Sequence, residues 1–403
     1  MPDRRLSWLL AANGVGNLAD GIGKVAFPLL ATTLTRDPVQ IGALSATQFL
    51  PWLLLGVFAG TLADRVDRKR AVLLANVTRA VVVGLTALLV YTGTLSIWLV
   101  YVAALLLGAA ETVAESAGNA MIPALARPDQ LESANSKFQA AEILGQTFLG
   151  GPVGSLTFAL FAAFPFLLNS AGFAVAAALL LGLTGSFRPK TRAGPTRLRT
   201  DLVDGLKWLV HHPLLCRLVV IAGLISFASE MAQAQLVLYA LEDLGLSEAA
   251  FGLFTFVGGI GGLAGAAVAP RLVRLAGRRP VLVAGIFAGG VGFGAMGFVH
   301  QPVASAALFG LFAAAVVAVN VVLATARHAL VPSELLGRVL GVWRTVVWGA
   351  IPLGALVGGA LTEVLGSASA TFAVSGGAQI ALAALAALLL WRFSMDREPV
   401  SSS

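Results

Sequence analysis

Residues 38–93 read PVQIGALSATQFLPWLLLGVFAGTLADRVDRKRAVLLANVTRAVVVGLTALLVYTG. Two apolar runs, 38–63 and 71–93, flank a connection that holds Arg65, Arg68, Lys69 and Arg70. Coiled as helices that rise ~1.5 Å per residue, both runs reach the length of about 20 residues that crosses a ~30 Å hydrocarbon core. The stretch is two membrane spans joined by a short basic turn.

Runs of the same kind recur on both sides. They place spans at 6–34, 38–63, 71–93, 97–126, 134–160, 164–185, 215–241, 248–270, 280–299, 303–327, 335–362 and 369–392. Of the 403 residues 58% are hydrophobic and only 12% charged, with mean hydropathy +0.87. A soluble domain carries roughly 25% charged residues, so this chain cannot cover itself in water. The predicted fold class is an all-α membrane protein of twelve transmembrane helices in two six-helix bundles. Lys and Arg gather in the even connections, from Arg65 to Arg70, at Arg127 and Lys137, from Arg188 to Arg199, from Arg271 to Arg279, at Arg327 and Arg338, and at Arg392 and Arg397. The odd connections hold Arg36 as their only basic residue, and one carries Glu242, Asp243 and Glu248. The positive-inside rule then puts both termini in the cytoplasm. It also accounts for the net charge of +7 without nucleic acid.

Other residues narrow the function classes. Cys216 is the only cysteine, so there is no internal disulfide and no cysteine metal cluster. His211, His212, His300 and His328 have no partner inside a span, and no HExxH, Ser/His/Asp or nucleotide-binding pattern occurs. A membrane-embedded enzyme and ATP hydrolysis are therefore not expected, nor is any cofactor or metal. The basic N-terminus precedes an apolar stretch too long for a signal peptide and containing Asp20 and Lys24, which reads as a retained first span.

The chain also repeats. Leu18 to Gly42 slides onto Ala228 to Gly252 at an offset of 210, which sets Asp20 on Glu230 and Gly42 on Gly252. A second alignment at 204 sets Pro128 on Pro332, Gly150 on Gly354 and Gly154 on Gly358. The organisation expected is an N-terminal bundle at 1–185, a cytoplasmic linker at 186–213 and a C-terminal bundle at 214–403. In the linker Leu202, Val203, Leu206, Leu209 and Val210 form a helical apolar stripe, which suits a helix lying along the membrane surface; a plain solvated linker is the alternative.

The most specific local signal is Gly60-Thr-Leu-Ala-Asp64-Arg65-Val-Asp67-Arg68-Lys69-Arg70 between spans two and three. It resembles the loop signature of the major facilitator superfamily, Gly-x-x-x-Asp-Arg-x-Gly-Arg-Lys/Arg, with Asp67 where the pattern has glycine. A degenerate copy, Gly265 to Arg279, follows span eight. Asn17-Leu-Ala-Asp20-Gly21, Phe27 to Leu30, Leu131 to Asn135 and Asp204 to Pro213 are similar to the macrolide- and siderophore-exporter branch. Two features depart from the family: Ala104 stands where span four has an arginine, and the span-five antiporter pattern is cut to Gly151-Pro152-Val153-Gly154-Ser155. The resemblance implies a secondary transporter working by alternating access. It points to proton-coupled efflux of small amphipathic molecules from the bacterial cytoplasmic (inner) membrane. A dedicated exporter of one siderophore or other natural product is the alternative. The proton gradient would be its energy source, and the chain a monomer whose partners are a small-molecule substrate, protons and lipid, not nucleic acid. Gly60, Asp64, Arg65, Arg68 and Lys69 would form the cytoplasmic gate, Asp64 facing the start of span eleven near Ser333.

Ionisable groups inside a bilayer cost about 2.5–3.5 kcal/mol even on the mild insertion scale, so they mark the interior of such a protein. Asp20 and Glu230 lie ~21 and ~22 Å from the cytoplasmic edge at the helical rise and are candidates for proton or substrate coupling. Lys24, one turn on, is placed to pair with Asp20. Arg79, Glu111 and Glu142 form a second set, in which Arg79 is expected to pair with one of the two carboxylates and leave the other to titrate, or to serve as a structural ion pair only. Arg344, beside Trp343, is a candidate contact for an anionic substrate, or snorkels to the interface. With charge concentrated in one half and small apolar residues in the other, the cavity suits an amphipathic, cationic substrate.

Overall fold

The computed structural model describes residues 4–63, 66–125, 131–185, 187, 206–393 and 395. Among them the backbone is helical, without strands. The order is α1 (Arg4–Leu34), α2 (Pro38–Ala63), α3 (Arg68–Tyr91), α4 (Ile97–Leu125), α5 (Leu131–Glu142), a π-helical stretch Ile143–Gly150, α6 (Gly151–Leu160) and α7 (Phe164–Leu181). It continues with α8 (Pro213–Gln233), a short π turn at Tyr239–Asp243, α9 (Glu248–Ala276), α10 (Arg278–Met296), α11 (Pro302–Leu330), α12 (Ser333–Leu365) and α13 (Ala368–Leu390). Ten helical stretches among the described residues are long and apolar enough to cross a membrane. Together with α1 and α2, they fall where the sequence places its spans.

The helix ends follow from local chemistry. Asp67 caps α3, with its carboxylate accepting from the Arg70 backbone N–H at 3.2 Å, which satisfies one of the first-turn donors. Ser367 caps α13 in the same way, through Ala370 N–H. Gly366 ends α12 at φ +77°, a left-handed turn that glycine adopts without a Cβ penalty. Most of the expected linker lies outside the described residues. Where it resumes, residues 206–211 are helical, with Leu209 buried against Leu214 and Leu215 while Leu206 and Val210 are exposed.

The chain groups into two units. One comprises residues 1–36, 47–196 and 247–256; the other comprises 37–46, 197–246 and 257–403. In the first, α1 packs on α7, on the π stretch and on α6, while α3 packs on α4 and α7. In the second, α8 packs on α12 and α13, and α10 packs on α11 and α13. The second pattern is the first with every helix replaced by its counterpart half a chain later, so the weak sequence repeat is a repeat of packing.

The paired glycines explain how. Small residues let helix backbones approach where no apolar driving force separates lipid from protein. A Cβ on Gly154 would stand 2.8 Å from the Ile22 carbonyl oxygen, and one on Gly358 would strike the Met231 carbonyl. The same holds for Gly252, whose Cβ would lie 2.6 Å from the Gly151 carbonyl oxygen, and for Gly42, 2.5 Å from that of Ala355. The two segments that carry them, 37–46 and 247–256, are the ones counted with the opposite unit. They are displaced by 210 residues, the offset of the repeat.

Candidate functional site

The first unit encloses a polar cavity of about 160 Å³, bounded by α1, α3, α4 and the rod that runs from α5 into the π stretch. Asp20, Arg79, Glu111 and Glu142 all line it, so Asp20 joins the second set of the sequence in one cluster. Their pairing differs from expectation. Arg79 binds Asp20, Nη1 to Oδ2 at 3.3 Å, and not Glu111 or Glu142. Its guanidinium also lies 5.0 Å from the centre of the Phe173 ring. Arg79 is 6% exposed and Asp20 19%, so a pair this buried satisfies charges that neither span can carry alone. Glu111 and Glu142 have no ion-pair partner among the described residues.

Lys24 also departs from expectation. Its ammonium donates to Gln146 Oε1, and Gln146 Nε2 donates to Asn17 Oδ1 at 2.6 Å. Glycines make this reach short: a Cβ on Gly21 would lie 2.6 Å from the Gln146 Cα, and one on Gly145 would lie 2.7 Å from the Leu18 nitrogen. The π stretch carries Gln146 at this contact. π geometry inside α-helices recurs at functional sites because it re-aims side chains that a regular helix would turn away. Gln146 was not singled out from sequence, although it lies one turn beyond Glu142 on the same helical face.

The second unit holds a larger cavity, about 500 Å³, lined by α8, α11 and α12. Glu230, the counterpart of Asp20, lines it and accepts a hydrogen bond from Ser45 Oγ at 2.6 Å. No cation pairs with it among the described residues. Trp343 and Arg344 also line this cavity, as does Arg327, which the sequence reading assigned to a basic connection. The helix continues past it to Leu330, and the guanidinium lies 4.9 Å from the centre of the Trp343 ring.

Of the expected gate residues, Asp64 and Arg65 lie outside the described residues, and Gly60 is placed only as part of the α2 backbone. Arg68 donates to the Ala120 carbonyl at 2.9 Å, and Lys69 to the Leu183 carbonyl at 2.6 Å beyond the end of α7. The degenerate second copy does the same: Arg278 donates to the Met395 carbonyl at 2.8 Å and Arg279 to the Trp391 carbonyl at 3.0 Å. Lys69 and Arg279 sit at the ends of α7 and α13, where cations are favoured because the last carbonyls of a helix lack intrahelical partners. The position filled by Asp67 in the first copy is Gly277 in the second, at φ +86°. Where the glycine is lost, the aspartate supplies a cap in its place and also accepts from the Phe187 N–H at 3.3 Å.

Long apolar helices in two equivalent bundles, each enclosing a cavity with a carboxylate at the matched position, define a multi-pass membrane transporter. The chain belongs to the Major Facilitator Superfamily, whose family profile matches residues 9–275 and again 218–402. It is 28% identical over 384 residues to the uncharacterized MFS-type transporter YfiS of Bacillus subtilis, covering 92% of this chain and 89% of that one. It is 25% identical over 377 residues to the multidrug efflux pump Tap of Mycolicibacterium fortuitum, covering 90% and 89%. Among solved structures it resembles the nucleoside transporter NupG, with TM-score 0.77 at 15% identity, covering 96% of this chain and 99% of that one. A bacterial homologue of the iron transporter ferroportin in its inward-facing state gives TM-score 0.76 at 16% identity, covering 98% and 99%. These relatives are transporters and not enzymes, and the likenesses to solved structures show the shared fold.

Proposed function

We propose that this transporter is a proton-coupled exporter of small amphipathic molecules. It acts by alternating access as a monomer in the bacterial cytoplasmic membrane, with both termini inside. The observation that carries the reading is the pair of matched carboxylates, each in its own unit's cavity and each in a different setting. Asp20 is held by Arg79, whereas Glu230 meets only a serine hydroxyl. A carboxyl with no fixed cation is the one that can change charge at least cost to its surroundings, so Glu230 is the proton carrier and Asp20 the fixed or switching partner. The larger cavity falls within the ~300–1,000 Å³ of small-molecule sites, and a likeness to a multidrug efflux pump supports outward transport of such molecules. The cytoplasmic side closes through the loop around Asp64.

The test is transport in proteoliposomes under an imposed pH gradient, screened against dyes and antibiotics. Accumulation of several amphipathic compounds that collapses with the gradient is expected. Transport that ignores the gradient would refute proton coupling, and handling of a single metabolite would refute the broad exporter.

A further inference from the structure

The cavity of the second unit brings Arg327 to the same wall as Arg344, the residue that the sequence offers as a contact for an anionic substrate. Three charged side chains line it: Glu230, Arg327 and Arg344. The two arginines line the same cavity from α11 and α12, and no carboxylate pairs with either among the described residues. Arg327 is half-buried and Arg344 exposed, and two like charges on one cavity wall favour an anion between them. Two buried polar atoms here also lack a hydrogen-bond partner among the described residues, Arg327 Nε and Ser229 Oγ, and both residues line the cavity. Buried donors of this kind are rarely left unsatisfied, and each is a place for a ligand acceptor. The remaining wall is mainly apolar and includes the rings of Phe312, Trp343 and Trp348. Trp343 holds the Arg327 guanidinium across its face, which limits the rotamers that charge can take.

We propose that this cavity binds an amphipathic anion, an aromatic carboxylate whose acidic end sits between Arg327 and Arg344 and whose ring lies against Phe312 and Trp348. Arginine is suited to the task because its planar fork matches a carboxylate and is weakly hydrated. A neutral or cationic isostere leaves the guanidinium pair unmet. The inference follows the anionic contact expected at Arg344 in place of the cationic substrate and names the substrate class of the transport site, so it rests on the reading of this chain as an exporter. It is tested without transport, so the two can fail separately.

The experiment is equilibrium dialysis of the purified full chain in non-ionic detergent with three probes of one shape: 2-naphthoate, 2-naphthamide and 2-naphthylmethylammonium. Naphthoate is expected to bind at least tenfold more tightly than either of the others. Arg344→Gln is expected to cut naphthoate affinity at least tenfold while leaving naphthamide within twofold, and Arg344→Lys to retain part of the gain. Arg327→Gln should act in the same direction; if that variant does not purify, the Arg344 series decides alone. Tighter binding of the ammonium probe, naphthoate binding that Arg344→Gln does not change, or no binding of any probe would each overturn the proposal. A chain that binds naphthoate in this pattern but transports nothing under a pH gradient would keep the site and refute the exporter.

Discussion

Replacing Asp20 by asparagine removes one charge from a pair whose other member, Arg79, is 6% exposed. Taking one partner from a buried ion pair costs roughly 3–5 kcal/mol, because the other charge stays in a medium that does not solvate it. Two features put the expected loss near the lower end of that range. Asp20 is still 19% exposed, and Arg79 keeps its contact with the Phe173 ring. Glu111 and Glu142 line the same cavity and reduce the field left at the guanidinium. A loss of about 3 kcal/mol is therefore expected. Removing both charges, in Asp20→Asn/Arg79→Gln, should recover most of it, since no unpaired charge remains. The measurement is unfolding in mixed micelles for the four proteins of this double-mutant cycle, with transport in proteoliposomes alongside. If the pair only ties α1 to α3, the double variant should both fold and transport. If the Asp20 charge takes part in coupling, the double variant should be stable and yet fail at uphill transport. Asp20→Asn that is as stable as the parent would refute the pairing. So would Lys24→Ala that loses as much as Asp20→Asn, since Lys24 would then be the real partner.

Neutralising the other carboxylate, Glu230→Gln, should abolish uphill, pH-driven efflux while sparing downhill exchange of substrate; full pH-driven transport would move coupling to the cavity around Asp20. Gly354→Ala should destabilise by about 1–3 kcal/mol through overpacking, because its Cβ would meet the Phe227 carbonyl and stand 3.1 Å from the Glu230 Cβ. Gly341→Ala, with nothing within 4 Å, should be neutral or slightly stabilising in the same thermal melt, and equal losses would show that the packing argument is wrong. Asp64→Asn should cut transport, leave substrate binding largely intact and raise the labelling of cytoplasmic-side cysteine probes; unchanged transport would leave that loop as a charge anchor alone. Reporters fused after residue 195 and at residue 403 should score cytoplasmic and one near residue 245 external, and an external C-terminus would break the span count.

The spans are legible because membrane helices announce themselves by length and apolarity, and only their ends shift. α3 begins at Arg68, ahead of the apolar run that starts at Ala71, because Asp67 caps it there. α9 continues through Pro270 to Ala276 where sequence reading stopped at the proline, since proline removes one backbone bond without ending a helix held by its neighbours. The cavity residues were legible as a set, because charge in an apolar run is conspicuous. Their partners were not. Lys24 is one turn from Asp20, and local spacing favours that pair, yet Asp20 bonds Arg79 from another helix and Lys24 reaches Gln146. Such choices depend on which backbones the glycines bring together and on the π stretch that turns Gln146 inward, neither of which leaves a periodic mark. Arg327 was lost for a related reason: a basic residue at the end of an apolar run is indistinguishable from an interface anchor until the helix is seen to run on.

Gly42 and Gly252 carry a consequence for how far the two halves of the sequence can drift. They hold the same place in the repeat, and each must stay without a side chain because a neighbouring backbone oxygen stands 2.5 or 2.6 Å from where its Cβ would be. A side chain gained at one cannot be made good at the other, so each glycine is held by its own contact while the residues around it are free to diverge.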